Sequence, residues 1–383
     1  MFHTSTIEIS KSALQQNIKF IKDFVKEGTT ISSVVKGNAY GHGIEQYVPL
    51  AEACGINHFS VFSADEAVRV FNTVTNGPTI MVMGQLSPEE IEWAIEKEIE
   101  FYVFDLHRFK TAIKVAKKLG KRAIIHLEVE TGMNRTGLEA NEIKKLLPIL
   151  KKEGEHIRFR GLCTHFAGAE SIANYYRIKK QKSVFEKIKD YFLKHDCIPE
   201  QYHTACSAAA LRYPSTHMDM VRIGILQYGF FPSTETGVEF LTRKRENDSP
   251  LKRLISWKTL VMDTKNVKAG QFIGYGTSYL ANQDMKIAII PVGYSHGYTR
   301  NLSNQGRVLI NGKRLAVVGM VNMNMMAVDI TYTENVKQGD EVVIIGKQGD
   351  MEISVSSFGT ASDQVNYELL TRLPHNIPRF IVE

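Results

Sequence analysis

The sequence predicts an α/β protein in which a (β/α)₈ TIM-type barrel precedes a C-terminal, mainly-β domain. Eight short runs of β-branched or aromatic residues alternate with amphipathic helical patterns, and the sequence pattern changes after about residue 232. Strands buried on both faces read as continuous apolar runs, and eight strand–helix units in about 230 residues match the size of a barrel. The alternative, a doubly wound open sheet, usually has fewer units and a GxGxxG first turn, which is absent here.

The eight runs are the predicted barrel strands. Each is rich in β-branched or aromatic residues, as strands are. They cover residues 30–35, 58–62, 79–83, 100–104, 123–129, 159–165, 201–205 and 219–224. Helices are predicted between them, for example over 105–119 and 173–195, because these amphipathic segments open near the capping residues Asp, Ser or Asn.

The last third of the chain predicts a separate β domain. The polar stretch "PSTETGVEFLTRKRENDSP" (232–250) is predicted to be a boundary loop. Short runs such as "IAIIPVGY", "AVVGMV" and "DEVVIIG" then recur between turns, and a helix-like "FGTASDQVNYELLTRL" and a strand "RFIVE" close the chain. We therefore expect the barrel at 10–240 and the β domain at 241–383, with residues 1–9 joining the β domain as a strand.

Composition argues against several classes of function. The 383 residues are 43% hydrophobic and 23% charged, and the net charge of +6 is dispersed without zinc-finger spacing or an aromatic basic stripe. We therefore expect no nucleic-acid partner. The sequence contains no run of about 18 apolar residues, so no membrane span is predicted. Four cysteines without a CxxC pair suit a cytoplasmic protein, and Cys206 beside His203 provides too few ligands for a metal site.

Polar residues follow several predicted strands, where a barrel gathers its reactive groups. They are Lys36, Arg135, His165, Ser207 and Arg222. A lysine in a desolvated pocket loses its proton readily, which suits Schiff-base chemistry with a carbonyl cofactor. Barrels commonly bind phosphate after strands seven and eight. A Schiff-base lysine combined with a phosphate site predicts pyridoxal 5′-phosphate (PLP) as the cofactor.

Nine segments, spread over nearly the whole chain, carry a family resemblance. They are "VVKGNAYGHG", "IHLEVETGMNRTG", "GLCTHFAGAE", "HTACSAAAL", "DMVRIGILQYG", "FIGYGTSY", "IIPVGYSHGY", "VGMVNMNMMAVDI" and "NYELLTRLPHNIPR". Each resembles a segment of the alanine racemase family, the fold-type III PLP enzymes, and they occur in the family's order. Agreement along the chain is more specific than any single motif.

The resemblance implies a role for individual positions. Lys36 would bind PLP as a Schiff base and act as one catalytic base, and Tyr275 would be the second base, reaching in from the other subunit of a homodimer. The remaining cofactor-binding positions would be Tyr40, His165, Ser207, Arg222, Gly224, Ile225 and Tyr367, with Arg222 at the pyridine nitrogen. Arg135 and the backbone of Met323 would bind the substrate carboxylate, and Tyr294 would line the entrance.

Racemisation explains why such a set of residues is needed. A proton leaves one face of Cα and another arrives on the opposite face, which a lysine–tyrosine pair can achieve more easily than one base. Both reference pKa values lie near 10, so the surroundings must lower them. Because arginine only donates hydrogen bonds, Arg222 would leave the pyridine nitrogen uncharged and suppress transamination.

Three positions depart from the family pattern. Glu128 stands where members commonly carry a lysine, often carbamylated, and its carboxylate could supply the same negative charge to Arg135. Cys206 stands where Asn is usual, and Asn324 stands where Asp is usual. These departures bear on the substrate, because a family match fixes the reaction class better than the side chain accepted.

We therefore expect a PLP-dependent amino-acid racemase that interconverts L- and D-alanine, a reaction of D-alanine biosynthesis. One alternative is a racemase of the same fold that acts on serine or on a broader range of amino acids. A fold-type III decarboxylase is another, although it would carry a carboxylate in place of Arg222. The last is a non-catalytic PLP-binding protein, which would need neither the β domain nor Tyr275.

Overall fold

A computed structural model of the chain describes residues 3–245, 248–355, 358 and 366–383. These residues form two compact units. The barrel unit consists of Ala13–Lys36 and Val48–Arg253. The β unit contains the other described residues, beginning with strand β1 (Ser5–Ser10).

Eight parallel strands form the barrel unit, which confirms the predicted fold class. They are β2 (Thr30–Val34), β3 (His58–Val61), β4 (Thr79–Val82), β5 (Glu100–Val103), β6 (Ala123–Glu128), β7 (Ile157–Cys163), β8 (Gln201–His203) and β9 (Met220–Ile223). Their order in the sheet is β8-β7-β6-β5-β4-β3-β2-β9. The barrel is nearly closed, because the Arg222 N–H on β9 donates to the carbonyl of Ala205 after β8 (2.9 Å).

Helices follow the strands along the chain. They are α1 (Lys11–Phe24), α2 (Ile44–Ala53), α3 (Ala64–Thr73), α4 (Pro88–Glu96), α5 (Leu106–Leu119), α6 (Ala140–Lys152), α7 (Tyr175–Lys194), α8 (Ser207–Arg212) and α9 (Thr234–Lys244). Short 3₁₀ helices cover Ile172–Asn174, Pro214–Thr216 and Ile225–Tyr228. Asp105 begins α5 by accepting a hydrogen bond from the Arg108 N–H (2.8 Å), and Gly120 ends it in the left-handed conformation.

Helix α9 corrects the prediction of a loop over 232–250. Ser233 caps the helix, because its hydroxyl accepts a hydrogen bond from the Thr236 N–H (3.1 Å). The helix buries Thr236, Gly237 and Phe240. Only one large apolar side chain marks this buried side, so the polar composition concealed the helical pattern.

The interior of the barrel holds an unusual number of polar side chains. His58, Glu100, His126 and His203 are buried and hydrogen-bonded to one another across β3, β5, β6 and β8. A small cluster with Met81, Tyr102, Cys163 and Met220 lies beside them. Barrel interiors are usually filled by Val, Ile and Leu, so this polar group needs a specific reason.

The described part of the β unit forms one ten-stranded sheet, which confirms a mainly-β C-terminal domain. After β1, its strands are β10 (Ile255–Leu260), β11 (Asp263–Val267), β12 (Met285–Ile290), β13 (Arg307–Ile310), β14 (Lys313–Val318), β15 (Met326–Asp329), β16 (Glu341–Gln348), β17 (Met351–Ile353) and β18 (Arg379–Val382). Strand β1 pairs antiparallel with β10 and parallel with β18. The predicted boundary between the two domains, between residues 240 and 241, stays a prediction.

Few helices accompany this sheet. Two 3₁₀ helices cover Tyr294–His296 and Arg300–Leu302, and α10 covers Asn366–Thr371. The predicted helix over 358–373 lies partly outside the described residues, and α10 is its described portion. In neither unit does a described helix combine the length and the apolar character that crossing a membrane requires.

Candidate active site

Lys36 follows β2 at the carboxyl end of the barrel strands. The Val35 N–H still continues the ladder by donating to the carbonyl of Ser60 (2.8 Å), so Lys36 stands just after the last paired residue. Its side chain is accessible to solvent, yet enough protein surrounds the amine to affect its charge. Burial, followed by the charges of Arg135 and Arg222, lowers the pKa of Lys36. The neutral amine that acts as a nucleophile or base is therefore favoured.

Arg222, on β9, is the most strongly fixed side chain in this group. Its Nη1 donates to the ring nitrogen Nδ1 and the carbonyl of His203, and its Nη2 donates to the carbonyls of Thr164 (2.8 Å) and Thr204 (3.2 Å). These contacts occupy all four terminal N–H groups. Among the residues that the structure describes, no acceptor contacts Nε, so one N–H remains available for a ligand.

His165 lies two residues beyond the end of β7. Burial and the charges of Arg222 and Arg135 lower its pKa to about 3, so its ring is neutral at physiological pH. Gln181 of α7 fixes the backbone around it, because its side chain donates to the His165 carbonyl (2.9 Å) and accepts from the Ala167 N–H (2.9 Å). Nothing in the sequence around Gln181 predicted this role.

The loops after β8 and β9 meet at Ser207, Gly224 and Ile225. The hydroxyl of Ser207, the first residue of α8, accepts a hydrogen bond from the Gly224 N–H (2.9 Å). Ile225 begins the next 3₁₀ helix and is buried. The structure thus brings together three positions that the sequence predicts to bind phosphate.

Two side-chain hydrogen bonds that were not predicted hold the end of β2. Both Gln227 Nε2 (2.9 Å) and Tyr228 Oη (3.0 Å) donate to the Val34 carbonyl, two residues before Lys36. The Ser33 hydroxyl donates in turn to Gln227 Oε1 (2.8 Å). These contacts fix the strand end from which Lys36 projects. Their only sequence signal is that "QY" follows the predicted phosphate-binding residues.

Glu128 and Arg135 lie on either side of the loop after β6. Glu128 is buried, which raises the pKa of its carboxyl group, while Thr136 and the charges of Arg222 and Arg135 oppose this rise. Its carboxylate accepts a hydrogen bond from the Thr136 hydroxyl (2.8 Å). Arg135 is exposed, and within the described residues the two side chains form no ion pair. Any influence of Glu128 on Arg135 therefore acts through its charge.

Cys206 precedes Ser207 and is half-buried. Its backbone forms an isolated bridge with Arg222, and its side chain is close enough to Lys36 and Arg222 to affect their pKa values. The departure from the usual Asn therefore lies among the other groups of this site.

In the β unit, a left-handed turn carries Tyr40. Gly37, Asn38, Ala39 and Tyr40 have φ angles of 62°, 55°, 53° and 51°. The buried ring of His42 supports this turn, because Nδ1 lies 3.0 Å from the carbonyls of both Ala39 and Tyr40.

Helix α10 packs against this turn. A Cβ at Gly41 would lie 1.9 Å from the Leu370 carbonyl oxygen, so only glycine permits this close approach. The Tyr40 ring meets the ring of Tyr367 edge-to-face, with centroids 6.1 Å apart. Two further predicted phosphate-binding positions are therefore neighbours.

The remaining predicted residues also belong to the β unit. The Ser295 hydroxyl, next to Tyr294, donates to the carbonyl of Met323 (2.8 Å) and accepts from the Asn324 amide (2.9 Å). Tyr294, Met323 and Asn324 therefore form one group. Tyr275 is 73% exposed, in the turn between the paired Phe272 and Leu280.

The barrel fold and the side chains at the carboxyl ends of its strands define a barrel enzyme. The sequence models of the alanine racemase N-terminal and C-terminal domains match residues 9–232 and 254–381. The chain therefore belongs to the alanine racemase family, whose members depend on PLP, and it is an amino-acid racemase.

Individual relatives match over nearly their full length. An alanine racemase from Methanococcus maripaludis is 35% identical over 379 residues, covering 98% of this chain and 98% of that protein. One from Leptospira interrogans is 32% identical over 385 residues, covering 100% and 96%. A solved alanine racemase from Bacillus anthracis, with bound L-Ala-P, has a TM-score of 0.91 at 31% identity, covering 100% and 96% of the two chains.

Proposed function

We propose that this protein is a cytoplasmic, PLP-dependent alanine racemase that interconverts L- and D-alanine. The observation that carries the proposal is the placement of Lys36, His165 and Arg222 close together in the barrel unit, in a chain of the alanine racemase family. The full-length relatives named above, which are alanine racemases, support alanine as the substrate.

The residues present suit PLP. The Lys36 amine, whose pKa is lowered, suits the cofactor's aldehyde, and the available Arg222 Nε–H suits the pyridine nitrogen. His165, with its neutral ring, would pack beside the cofactor. The phosphate would be held by Tyr40, Ser207, Gly224, Ile225 and Tyr367. When bound, PLP would supply an electron sink that acidifies the proton on Cα of the amino acid.

The chain's own residues would then move the protons. Lys36 takes or returns the proton on one face of Cα, and Tyr275 does so on the other. Arg135 and the Met323 backbone N–H hold the substrate carboxylate, and Tyr294 lines the entrance. Arg222 donates a hydrogen bond without giving up its proton, which keeps the pyridine nitrogen uncharged.

We further propose that Tyr275 acts in the partner's site of a homodimer. Tyr275 is 73% exposed, Phe272 50% and Leu280 45% in the single chain, all on one hairpin. Exposed apolar patches commonly mark protein–protein interfaces. A second chain covering this hairpin would also bring Tyr275 to its catalytic position.

The decisive experiment follows proton exchange at Cα. The holoenzyme is incubated in heavy water with separate L- and D-amino acids, and deuterium incorporation, inversion and CO₂ release are measured. We expect deuterium incorporation with inversion on alanine. CO₂ release without inversion would overturn the proposal in favour of a decarboxylase, and PLP binding without exchange would favour a non-catalytic protein.

A broader racemase is the second candidate function, because Cys206 lies beside Lys36 and Arg222 where Asn is usual. The same amino-acid panel tests this candidate. Inversion of serine as fast as that of alanine would favour the broader enzyme. Cys206→Asn, which restores the usual residue, should then reduce the rate with serine more than the rate with alanine.

A further inference from the structure

A line of four buried polar side chains crosses the interior of the barrel and ends at Arg222. Glu100 Oε2 lies 2.7 Å from His126 Nε2, and His126 Nδ1 lies 2.8 Å from His203 Nε2. His203 Nδ1 contacts Arg222 Nη1. Each of the four residues is 5% or less exposed. We call this series the interior chain.

The chemistry of its two ends fixes the direction of every hydrogen bond. Arginine only donates, and an ionised carboxylate only accepts. Arg222 must therefore donate to His203 Nδ1, so His203 carries its proton on Nε2 and donates to His126 Nδ1. His126 then carries its proton on Nε2 and donates to Glu100. Both histidines are consequently neutral and hold the same tautomer.

The electrostatic surroundings agree with this assignment. Burial, and for His203 also the charge of Arg222, lowers the pKa of both histidines. Burial alone would raise the pKa of Glu100, but its contacts with His126 and His58 lower it. Arg160 adds a further hydrogen bond to Glu100 (3.1 Å). The interior chain thus connects a cation to an anion through two neutral rings.

Such a group costs more to bury than the apolar side chains that normally fill a barrel. Only one end of the interior chain reaches the group of side chains around Lys36. That end occupies Nη1 of Arg222, and the carbonyls of Thr164 and Thr204 occupy Nη2. The guanidinium plane is therefore held from two sides, and Nε keeps the available N–H.

We propose that Glu100, His126 and His203 are positioning residues that act through Arg222 by fixing its guanidinium so that Nε–H faces the ligand. This inference rests on the proposed function, in which that ligand is the pyridine nitrogen of PLP. The three residues would act through Arg222 alone, without touching substrate or cofactor themselves. Their role is to keep the Arg222 hydrogen bond in one geometry.

Glu100→Gln tests the direction of the interior chain. A glutamine amide offers His126 Nε2 both a donor and an acceptor, so the interior chain loses the purely accepting end that fixes its direction. Tyr102→Phe is the matched control. Tyr102 is buried beside the interior chain, and the centroid of its ring lies 6.1 Å from that of His126 and 6.0 Å from that of His203. It is not itself part of the interior chain.

The first measurement is ¹⁵N NMR of histidine-labelled protein without cofactor, which reports the tautomers directly. Wild-type protein and Tyr102→Phe should show only Nε2-protonated His126 and His203, whereas Glu100→Gln should show a mixture of tautomers. The second measurement, on the holoenzyme with alanine, is the ratio of racemisation to pyruvate release. Glu100→Gln should lower this ratio by about 10- to 100-fold, the usual consequence of an unpaired buried donor.

The two measurements separate the two claims. Nδ1-protonated His203 in the wild-type protein, or an unchanged ratio in Glu100→Gln, would overturn the positioning role. An equal fall in the ratio for Tyr102→Phe would also overturn it, because packing damage would then explain the effect. If the wild-type holoenzyme failed to racemise any amino acid, the proposed function would fail, whereas the tautomers would still test the interior chain.

Discussion

At the scale of single residues, Glu128 lies near Arg135 without forming an ion pair with it. Its carboxylate is buried and takes a hydrogen bond from Thr136, while Arg135 lies exposed on the same loop. Charges interact strongly where little water screens them. We propose that a negative charge at Glu128 stabilises Arg135 in an orientation that would bind the substrate carboxylate.

Glu128→Gln removes this charge and keeps the shape of the side chain. We expect KM for alanine to rise about 3- to 10-fold with a smaller change in kcat, because binding of the carboxylate is weakened. Thr136→Val, which removes the hydrogen bond and keeps the charge, is the control. Steady-state kinetics with unchanged KM in Glu128→Gln would remove Glu128 from this role.

At the scale of elements, the left-handed turn and helix α10 pack together as one structural unit. The turn presents Tyr40, α10 presents Tyr367, and the close approach of Gly41 to Leu370 fixes their spacing. Any side chain at Gly41 would force the two elements apart. The turn therefore depends on a contact that lies more than 300 residues away along the chain.

We expect Gly41→Ala to weaken PLP binding at least tenfold, because it would separate Tyr40 from Tyr367, which we propose hold the phosphate together. Gly28→Ala is the control: Gly28 has nearly the same φ (80° against 81°), but its Cβ would meet nothing within 4 Å. Fluorescence titration of the apoenzyme with PLP gives both dissociation constants. Equal values for the two variants would contradict this account.

The strands and helices also differ in how far the sequence predicts them. The eight barrel strands were predictable because each is a short run rich in β-branched or aromatic residues, and the position of Lys36 was predictable because it directly follows the first run. Helix α9 was not, since Phe240 alone marks its buried side. Glu100, His126 and His203 come from strands far apart in sequence, so their contact could not be predicted. A polar residue within a run expected to be wholly buried was the only signal.

For the whole molecule, the central question is whether one site uses two chains. Tyr275, Phe272 and Leu280 of one hairpin are exposed in the single chain, as the proposed dimer interface requires. In a closed two-fold dimer each chain would give its Tyr275 to the partner and receive the partner's in return. The two sites would then depend on both chains equally.

Mixing two inactive variants tests this arrangement. Lys36→Ala and Tyr275→Phe are combined in equal amounts and allowed to exchange subunits. Half of the dimers should be mixed, and each mixed dimer has one site with both native residues, so about a quarter of wild-type activity should return. Mixing without subunit exchange is the control. A lack of recovery after confirmed exchange would show that Tyr275 does not act across the interface.

The turn after Lys36 has one further consequence, which concerns handedness. Asn38, Ala39 and Tyr40 are L-residues held at backbone angles that are the mirror image of an ordinary helix. Each costs about 1–2 kcal/mol in that conformation, whereas a D-residue would adopt it without this strain. A chain assembled chemically with D-alanine at position 39 should relax the backbone there. An enzyme proposed to invert alanine thus holds one of its own alanines in the geometry that the opposite enantiomer prefers.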